Sequence, residues 1–277
     1  MKTILFQGDS ITDADRSRSH DWLLGSGYPT VVAAQLGSAH PGFYNFFNRG
    51  ISGNRVVDVY ARIRKDILNL NPDYMSMLIG VNDVWHEAEQ NGVDAVKFEK
   101  IYCMMVEEIK EQLPDIRILI LEPFVLRGTA TAESYDSFFR PEVELRAAAA
   151  GRVAEKYGLT FVPLQKMFDD CAKEADGKLL LADGVHPTST GHGLIAGKWM
   201  EAFDESGLDP SFYANRRRDF DEILPWDHLD YGISKKFLMN ENKKAHESVT
   251  TPHCRIKCAG CGANRLNGGK CDARSEA

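Results

Sequence analysis

Two motifs far apart in the chain carry side chains suited to acyl transfer. Gly8-Asp9-Ser10 follows a short apolar run, and Asp183-Gly184-Val185-His186-Pro187 precedes a helix-like stretch. A serine hydroxyl is a weak nucleophile until a base takes its proton. A histidine with a carboxylate three residues upstream in a turn can present both side chains to one spot. The carboxylate orients the imidazole and stabilises its charged form, and the imidazole acts as base toward the serine. Ser10, Asp183 and His186 are therefore the candidate catalytic residues. Each motif alone has a plainer reading: a serine after a strand is a loop residue, and DxxH is a helix cap beside a surface histidine.

The elements that must position these residues alternate between strand and helix patterns. Strand-like runs cover Thr3–Gln7, Phe43–Phe47, Tyr74–Ile79, Ile116–Leu121 and Leu159–Val162. Helix patterns cover Pro29–Leu36, ending at Gly37, then Val96–Leu113, Arg140–Tyr157, Leu164–Ala175 and Ser189–Phe203. One further amphipathic helix places Val56, Val59, Tyr60, Ile63, Ile67 and Leu70 on one face and is stopped by Asn71-Pro72. Five strands alternating with helices predict a parallel sheet covered on both faces. In such sheets ligands bind beyond the carboxyl ends of the strands. The informative residues are then Gly8-Asp9-Ser10, Asn48-Arg49-Gly50, Gly80-Val81-Asn82-Asp83 and Glu122-Pro123.

Composition narrows the class. The 277 residues carry a net charge of −7 with 43% hydrophobic and 26% charged residues, which fits a folded chain and argues against nucleic acid as the main partner. Its apolar runs are too short for a membrane span. Lys2 precedes only a brief apolar run, with no signal-peptide pattern, so a cytoplasmic location is expected. The charge is uneven. Residues 208–277 hold 12 Lys+Arg against 10 Asp+Glu, whereas residues 1–207 hold 21 against 30, so an acidic body carries a basic tail. Four of the six cysteines lie in the last 24 residues. The other two, Cys103 and Cys171, sit in helix-like stretches as core thiols.

Residues 1–205 resemble the SGNH hydrolases of the GDSL esterase/lipase type. The resemblance rests on four blocks in order: Gly8-Asp9-Ser10-Ile11-Thr12, Asn48-Arg49-Gly50-Ile51-Ser52-Gly53, Gly80-Val81-Asn82-Asp83 and Asp183-Gly184-Val185-His186-Pro187. It implies a flavodoxin-like three-layer α/β/α sandwich with a five-stranded parallel sheet. It also implies ester hydrolysis with no cofactor for catalysis, Ser10 being the nucleophile, His186 the base and Asp183 the third member of the triad. The oxyanion hole falls to the backbone N–H groups of Ser10 and Gly50 and the side-chain amide of Asn82. Preorganised donors lower the barrier to a tetrahedral intermediate by about 3 kcal/mol each.

Around this set, Asp9 anchors the turn that presents Ser10, and Asp83 fixes the Asn82 loop. Trp85 either walls the pocket or packs. Arg49 and Arg55 meet a polar substrate or remain solvated. His20, His40 and His192 are surface or helix residues. The irregular stretch Leu126–Phe139, with Gly128, Thr129, Thr131 and Ser134 beside Tyr135, Phe138 and Phe139, is expected to border the pocket. Its polar, small character favours a short acyl group on a polar alcohol. The expected substrate is a small ester, an acetylated carbohydrate, with a lysophospholipase or thioesterase-like activity as the alternative.

The tail carries Cys254, Cys258, Cys261 and Cys271, a closely spaced thiolate set that reads as zinc or an iron–sulfur cluster, with His253 as a substitute ligand. Residues 208–271 resemble the C-terminal end of a radical S-adenosylmethionine protein family with a B12-binding-like domain, on stretches such as Leu224-Pro225-Trp226-Asp227-His228. Nothing of that family's barrel is present, so no radical activity is implied. The predicted organisation is a hydrolase domain over 1–207 and a Cys-rich tail over 208–277, joined as in a chimera, with short helices at Gly232–Ala245. A reading of another class is a metal- or cluster-binding interaction protein acting through these cysteines.

Overall fold

The computed structural model describes residues 1–205, 232–253 and 256–263. Two compact units divide the chain, Met1–Ala214 and Asn215–Ala277. The expected boundary at 207/208 lies outside the described residues.

The first unit is built on five parallel strands: β1 (Lys2–Gly8), β2 (Tyr44–Asn48), β3 (Tyr74–Leu78), β4 (Arg117–Leu121) and β5 (Thr160–Val162). Their spatial order is β2-β1-β3-β4-β5, the flavodoxin-like order, with the strand order reversing at β1 and β3. Side chains alternate across the sheet, so each strand feeds two cores. Ile4 and Phe6 of β1 join Leu119 and Leu121 on one face, under Tyr28, Val32, Trp199 and Phe203. Leu5 joins Met75, Met77, Ile118 and Ile120 on the other, under Val59, Tyr102, Val106 and Val153.

Helices α2 (Tyr28–Ala39) and α9 (Ser189–Glu205) cover the first face. The second is covered by α3 (Val56–Ala61), α4 (Ile63–Asp66), α6 (Ala95–Gln112) and α7 (Arg140–Tyr157). Short helices α1 (Ser10–Asp13) and α5 (Val81–Trp85) start directly after β1 and β3, and α8 (Gln165–Glu174) follows β5. Local signals set several ends. Asp94 caps α6 by accepting from the Lys97 N–H at 2.9 Å, and α7 stops at Gly158 in a left-handed conformation.

Two helices differ from the periodicity. Helix α2 continues two residues past Gly37, since a glycine weakens a helix by only about 1 kcal/mol and need not end it. The helix expected across Val56–Leu70 breaks at Arg62 into α3, α4 and a 3-10 turn, Leu68–Leu70. The apolar face survives, with Val56, Val59, Ile63 and Ile67 buried. The break coincides with the inward reach of the Arg62 guanidinium, which donates to the Arg49 carbonyl and Gln7 Oε1, both at 2.8 Å. No pattern of apolar spacing encodes that pull.

In the second unit the short helices expected over Gly232–Ala245 form one helix, α10 (Lys235–His246), capped by Ser234. Among the described residues no helix is long and apolar enough to cross a membrane.

Candidate active site

Ser10 stands at the start of α1, immediately beyond the carboxyl end of β1. Asp9 caps that turn, its Oδ1 accepting from the Ile11 N–H at 3.0 Å. Ser10 Oγ lies 3.0 Å from His186 Nε2, and His186 Nδ1 lies 2.8 Å from Asp183 Oδ2. The other Asp183 oxygen accepts from the backbone N–H groups of Val185, at 2.9 Å, and His186, at 2.8 Å. Ser10 thus forms one relay with a pair of residues more than 170 positions away. Burial pushes the Asp183 carboxyl up, but the hydrogen bonds from His186 and Val185 outweigh it and hold its pKa below the ordinary value.

The loop carrying Asp183 and His186 is braced. The Ala182 N–H donates to the His186 carbonyl at 2.8 Å, closing a turn across which Leu181 pairs with Pro187. The stretch Leu126–Phe139, expected to border the pocket, supports this turn instead. The Leu126 N–H donates to the Gly184 carbonyl at 2.8 Å, and the Ala130 N–H to the Asp183 carbonyl at 3.0 Å. Toward the imidazole it acts through Trp85, whose ring lies 5.6 Å from that of Phe139 and 5.8 Å from that of His186. Trp85 therefore both packs and walls the imidazole.

Asn82 lies in α5 after β3, buried, with Nδ2 donating to the Asn54 carbonyl at 3.2 Å. Asp83, fully buried, accepts from the Val56 N–H with both oxygens, at 3.1 and 3.2 Å, tying α5 to the start of α3. Burial raises its carboxyl well above the ordinary value. Asp9 is likewise buried, and burial pushes its pKa up to about 7, against the hydrogen bond from Ile11 and the nearby His186.

Gly50 departs from expectation. Its N–H donates to Asn48 Oδ1 at 2.9 Å, and it packs so closely that a Cβ there would lie 2.4 Å from the Asp13 N. Gly50 thus serves loop-to-loop packing, and its N–H is already used. A different glycine offers a donor. Gly53 is the third residue of a turn closed by the Asn54 N–H on the Ile51 carbonyl at 3.1 Å. Its φ of +79° suits glycine, and no hydrogen bond engages its N–H among the described residues. The Ser10 N–H, in the first turn of α1, is also without a protein partner there.

The signal for Gly53 was present in the Ser52-Gly53-Asn54 turn. That for Asn48 lay in its place at the carboxyl end of β2. Asn48 Nδ2 donates to the carbonyls of Thr12, at 2.6 Å, and Leu24, at 2.8 Å. His192 carried no sequence signal. It is buried, its Nδ1 accepts from the Tyr28 N–H at 3.1 Å, and burial lowers its pKa to about 4.

His20 and His40 instead meet neighbouring rings, Trp22 and Tyr44. Arg49 pairs with Asp21 at 2.6 Å, and Arg55 with Asp58 at 2.9 Å. A cleft of about 320 Å³ opens beside the relay, lined by Ser10, His186, Asp13, Asp15, Ser52 and His192 among others. Of the tail cysteines, Cys258 and Cys261 are free thiols, whereas Cys254 and Cys271 lie outside the described residues. Among the described residues no three His, Cys, Asp or Glu side chains are grouped to hold a metal.

Residues 6–194 match the GDSL-like Lipase/Acylhydrolase family. The chain belongs to that family. It is 30% identical over 203 residues to an acetylxylan esterase of Geobacillus stearothermophilus, a match covering 70% of this chain and 90% of that one. Among solved structures, a GDSL-like lipase from Parabacteroides merdae superposes with a TM-score of 0.69 at 37% identity, covering 75% of this chain and 96% of that chain. The acetylxylan esterase Axe2 of G. stearothermophilus superposes with a TM-score of 0.65 at 30% identity, covering 73% of this chain and 93% of that chain. Structures of that esterase include catalytic mutants in which a serine, an aspartate or a histidine is replaced by alanine. This family membership makes the chain a carboxylic ester hydrolase of the serine esterase class.

Proposed function

We propose that the chain is an O-acetyl esterase that removes acetyl groups from sugars through an acyl-enzyme on Ser10. The observation that carries this reading is the relay of Ser10 Oγ, His186 and Asp183, with links of 3.0 and 2.8 Å at the mouth of a polar cleft. The sugar alcohol is supported by the acetylxylan esterase relative. Its catalytic mutants change the same three residue types, with aspartate and histidine three positions apart, as Asp183 and His186 are here.

The steps follow from the geometry. Ser10 Oγ attacks the ester carbonyl as His186 Nε2 takes its proton. The charge that develops on the carbonyl oxygen is met by the N–H groups of Ser10 and Gly53 and by the Asn82 amide, donors that add no charge of their own. Collapse of the tetrahedral intermediate breaks the ester C–O bond, and the alcohol leaves with the proton from His186. Water then enters, gives a proton to the imidazole and attacks the acyl carbonyl. The acid departs and Ser10 recovers its proton. Throughout, Asp183 holds the Nδ1 proton and the ring orientation.

Hydrolysis of p-nitrophenyl esters of increasing chain length and of acetylated sugars tests the proposal. Acetyl esters are expected to be the best substrates, and Ser10→Ala to abolish turnover while the fold persists by circular dichroism. Equal activity in Ser10→Ala overturns the mechanism. A strong preference for long acyl chains overturns the sugar-ester reading.

A further inference from the structure

A second groove, of about 470 Å³, adjoins the catalytic cleft and shares Asp15 with it. Trp22 forms part of its wall and is 73% exposed, so its ring is open to a ligand in the groove. The His20 ring meets that indole edge-on at 5.7 Å. Asp15 is the only charged residue among those lining the groove, and it is exposed. Its carboxylate has no hydrogen bond or ion pair among the described residues.

The backbone that carries Asp15 is strained. Ala14 and Asp15 both adopt positive φ, 37° and 60°, in a region non-glycine residues seldom occupy. Two hydrogen bonds hold them there, from the Ser26 N–H to the Ala14 carbonyl at 2.7 Å and from the Arg16 N–H to the Asp13 carbonyl at 2.8 Å. The strain thus sits where cleft and groove meet.

We infer that this groove is a saccharide subsite, in which the Trp22 ring stacks on the apolar face of a pyranose and the Asp15 carboxylate accepts hydrogen bonds from neighbouring sugar hydroxyls. An aromatic wall with one well-placed polar group is the usual composition of a small-molecule site. The occupant is a neutral oligosaccharide, because the groove's single unpaired charge is negative and repels a uronate. A chain with its acetyl group over Ser10 extends past Asp15 to Trp22. The inference rests on the sugar-ester reading above. It adds that chain length, not only the acetyl group, determines specificity. Such binding is made equally in ground and transition states, so it lowers KM and leaves kcat unchanged.

The test measures kcat and KM for wild type, Trp22→Ala and Trp22→Phe on an acetylated xylo-oligosaccharide, acetylated xylose and p-nitrophenyl acetate. Trp22→Ala is expected to raise KM for the oligosaccharide on the order of ten-fold relative to that for acetylated xylose, the loss of one aromatic contact. Trp22→Phe is expected to recover most of that loss. An unmoved ratio in Trp22→Ala, with wild type active on both sugars, overturns the groove alone. A loss shared equally by all three substrates also overturns it, since that marks damage around Ser10. Wild type that cleaves p-nitrophenyl acetate but neither sugar overturns the sugar-ester reading and the groove with it.

Discussion

Asn82 Nδ2 donates to the carbonyl of Asn54 at 3.2 Å, across 28 residues of sequence. The bond ties the loop after β3 to the turn that holds Gly53, so two of the three proposed oxyanion donors belong to adjoining, mutually bonded segments. A bond of this length to a neutral carbonyl leaves the amide available to a stronger acceptor. A developing oxyanion is such an acceptor.

Asn82→Ala is accordingly expected to lower kcat for p-nitrophenyl acetate by roughly 10²- to 10³-fold, the usual effect of removing one oxyanion donor. KM should move little, because the donor acts on charge formed in the transition state. Steady-state kinetics on the purified variant decide this, and a change confined to KM would count against the role.

Asn48→Ala is expected to be a stability defect first. Its side chain donates to the carbonyls of Thr12 and Leu24 and accepts from the Gly50 N–H, all in buried surroundings. Leaving those partners unsatisfied costs about 1–3 kcal/mol each at most, with relaxation reducing the sum. Urea denaturation should show a lower midpoint at unchanged slope.

The buried Asp9 carboxyl predicts a stability cost that grows with pH. Its pKa is pushed by burial up to about 7 from an ordinary 3.8, so the folded state binds the proton more tightly than the unfolded one. Its contribution to stability is therefore full below about pH 4 and is lost as pH rises through 7. Asp9→Asn, which removes this titration, should therefore gain stability relative to wild type as pH rises across that window. Thermal melts from pH 4 to 8 on both proteins measure it.

His192 predicts the opposite slope. Burial lowers its pKa to about 4 from an ordinary 6.5, and its Nδ1 accepts from the Tyr28 N–H. The unfolded chain takes up the proton first as pH falls, so stability drops between about pH 6.5 and 4 and is unaffected above that window. His192→Gln, which removes the titration, should gain stability relative to wild type as pH falls across that window in the same melts.

Much of the fold is legible in the sequence. The strands lay within a residue or two of their predicted ends, because each is a short apolar run closed by glycine, proline or a polar turn. That Ser10, Asp183 and His186 come together follows patterns that are local, a strand end and a DxxH turn. The helix that periodicity predicts over Val56–Leu70 is broken for the converse reason. Its break at Arg62 coincides with bonds to Gln7 and the Arg49 carbonyl, neither of which is a neighbour in sequence.

The sequence alone determined the alternation of strand and helix, the order of the four blocks and the residue types available for ester hydrolysis, since periodicity and turn chemistry act over a few residues. Only the tertiary structure decided which glycine N–H stays free. Gly50 and Gly53 lie three residues apart, and what separates them is Asn48, held by the carbonyls of Thr12 and Leu24 so that its Oδ1 engages Gly50. The same holds for His192, buried against Tyr28 from the far end of the unit. A buried polar group takes whatever partner the fold brings to it, and that partner is set by packing rather than by spacing.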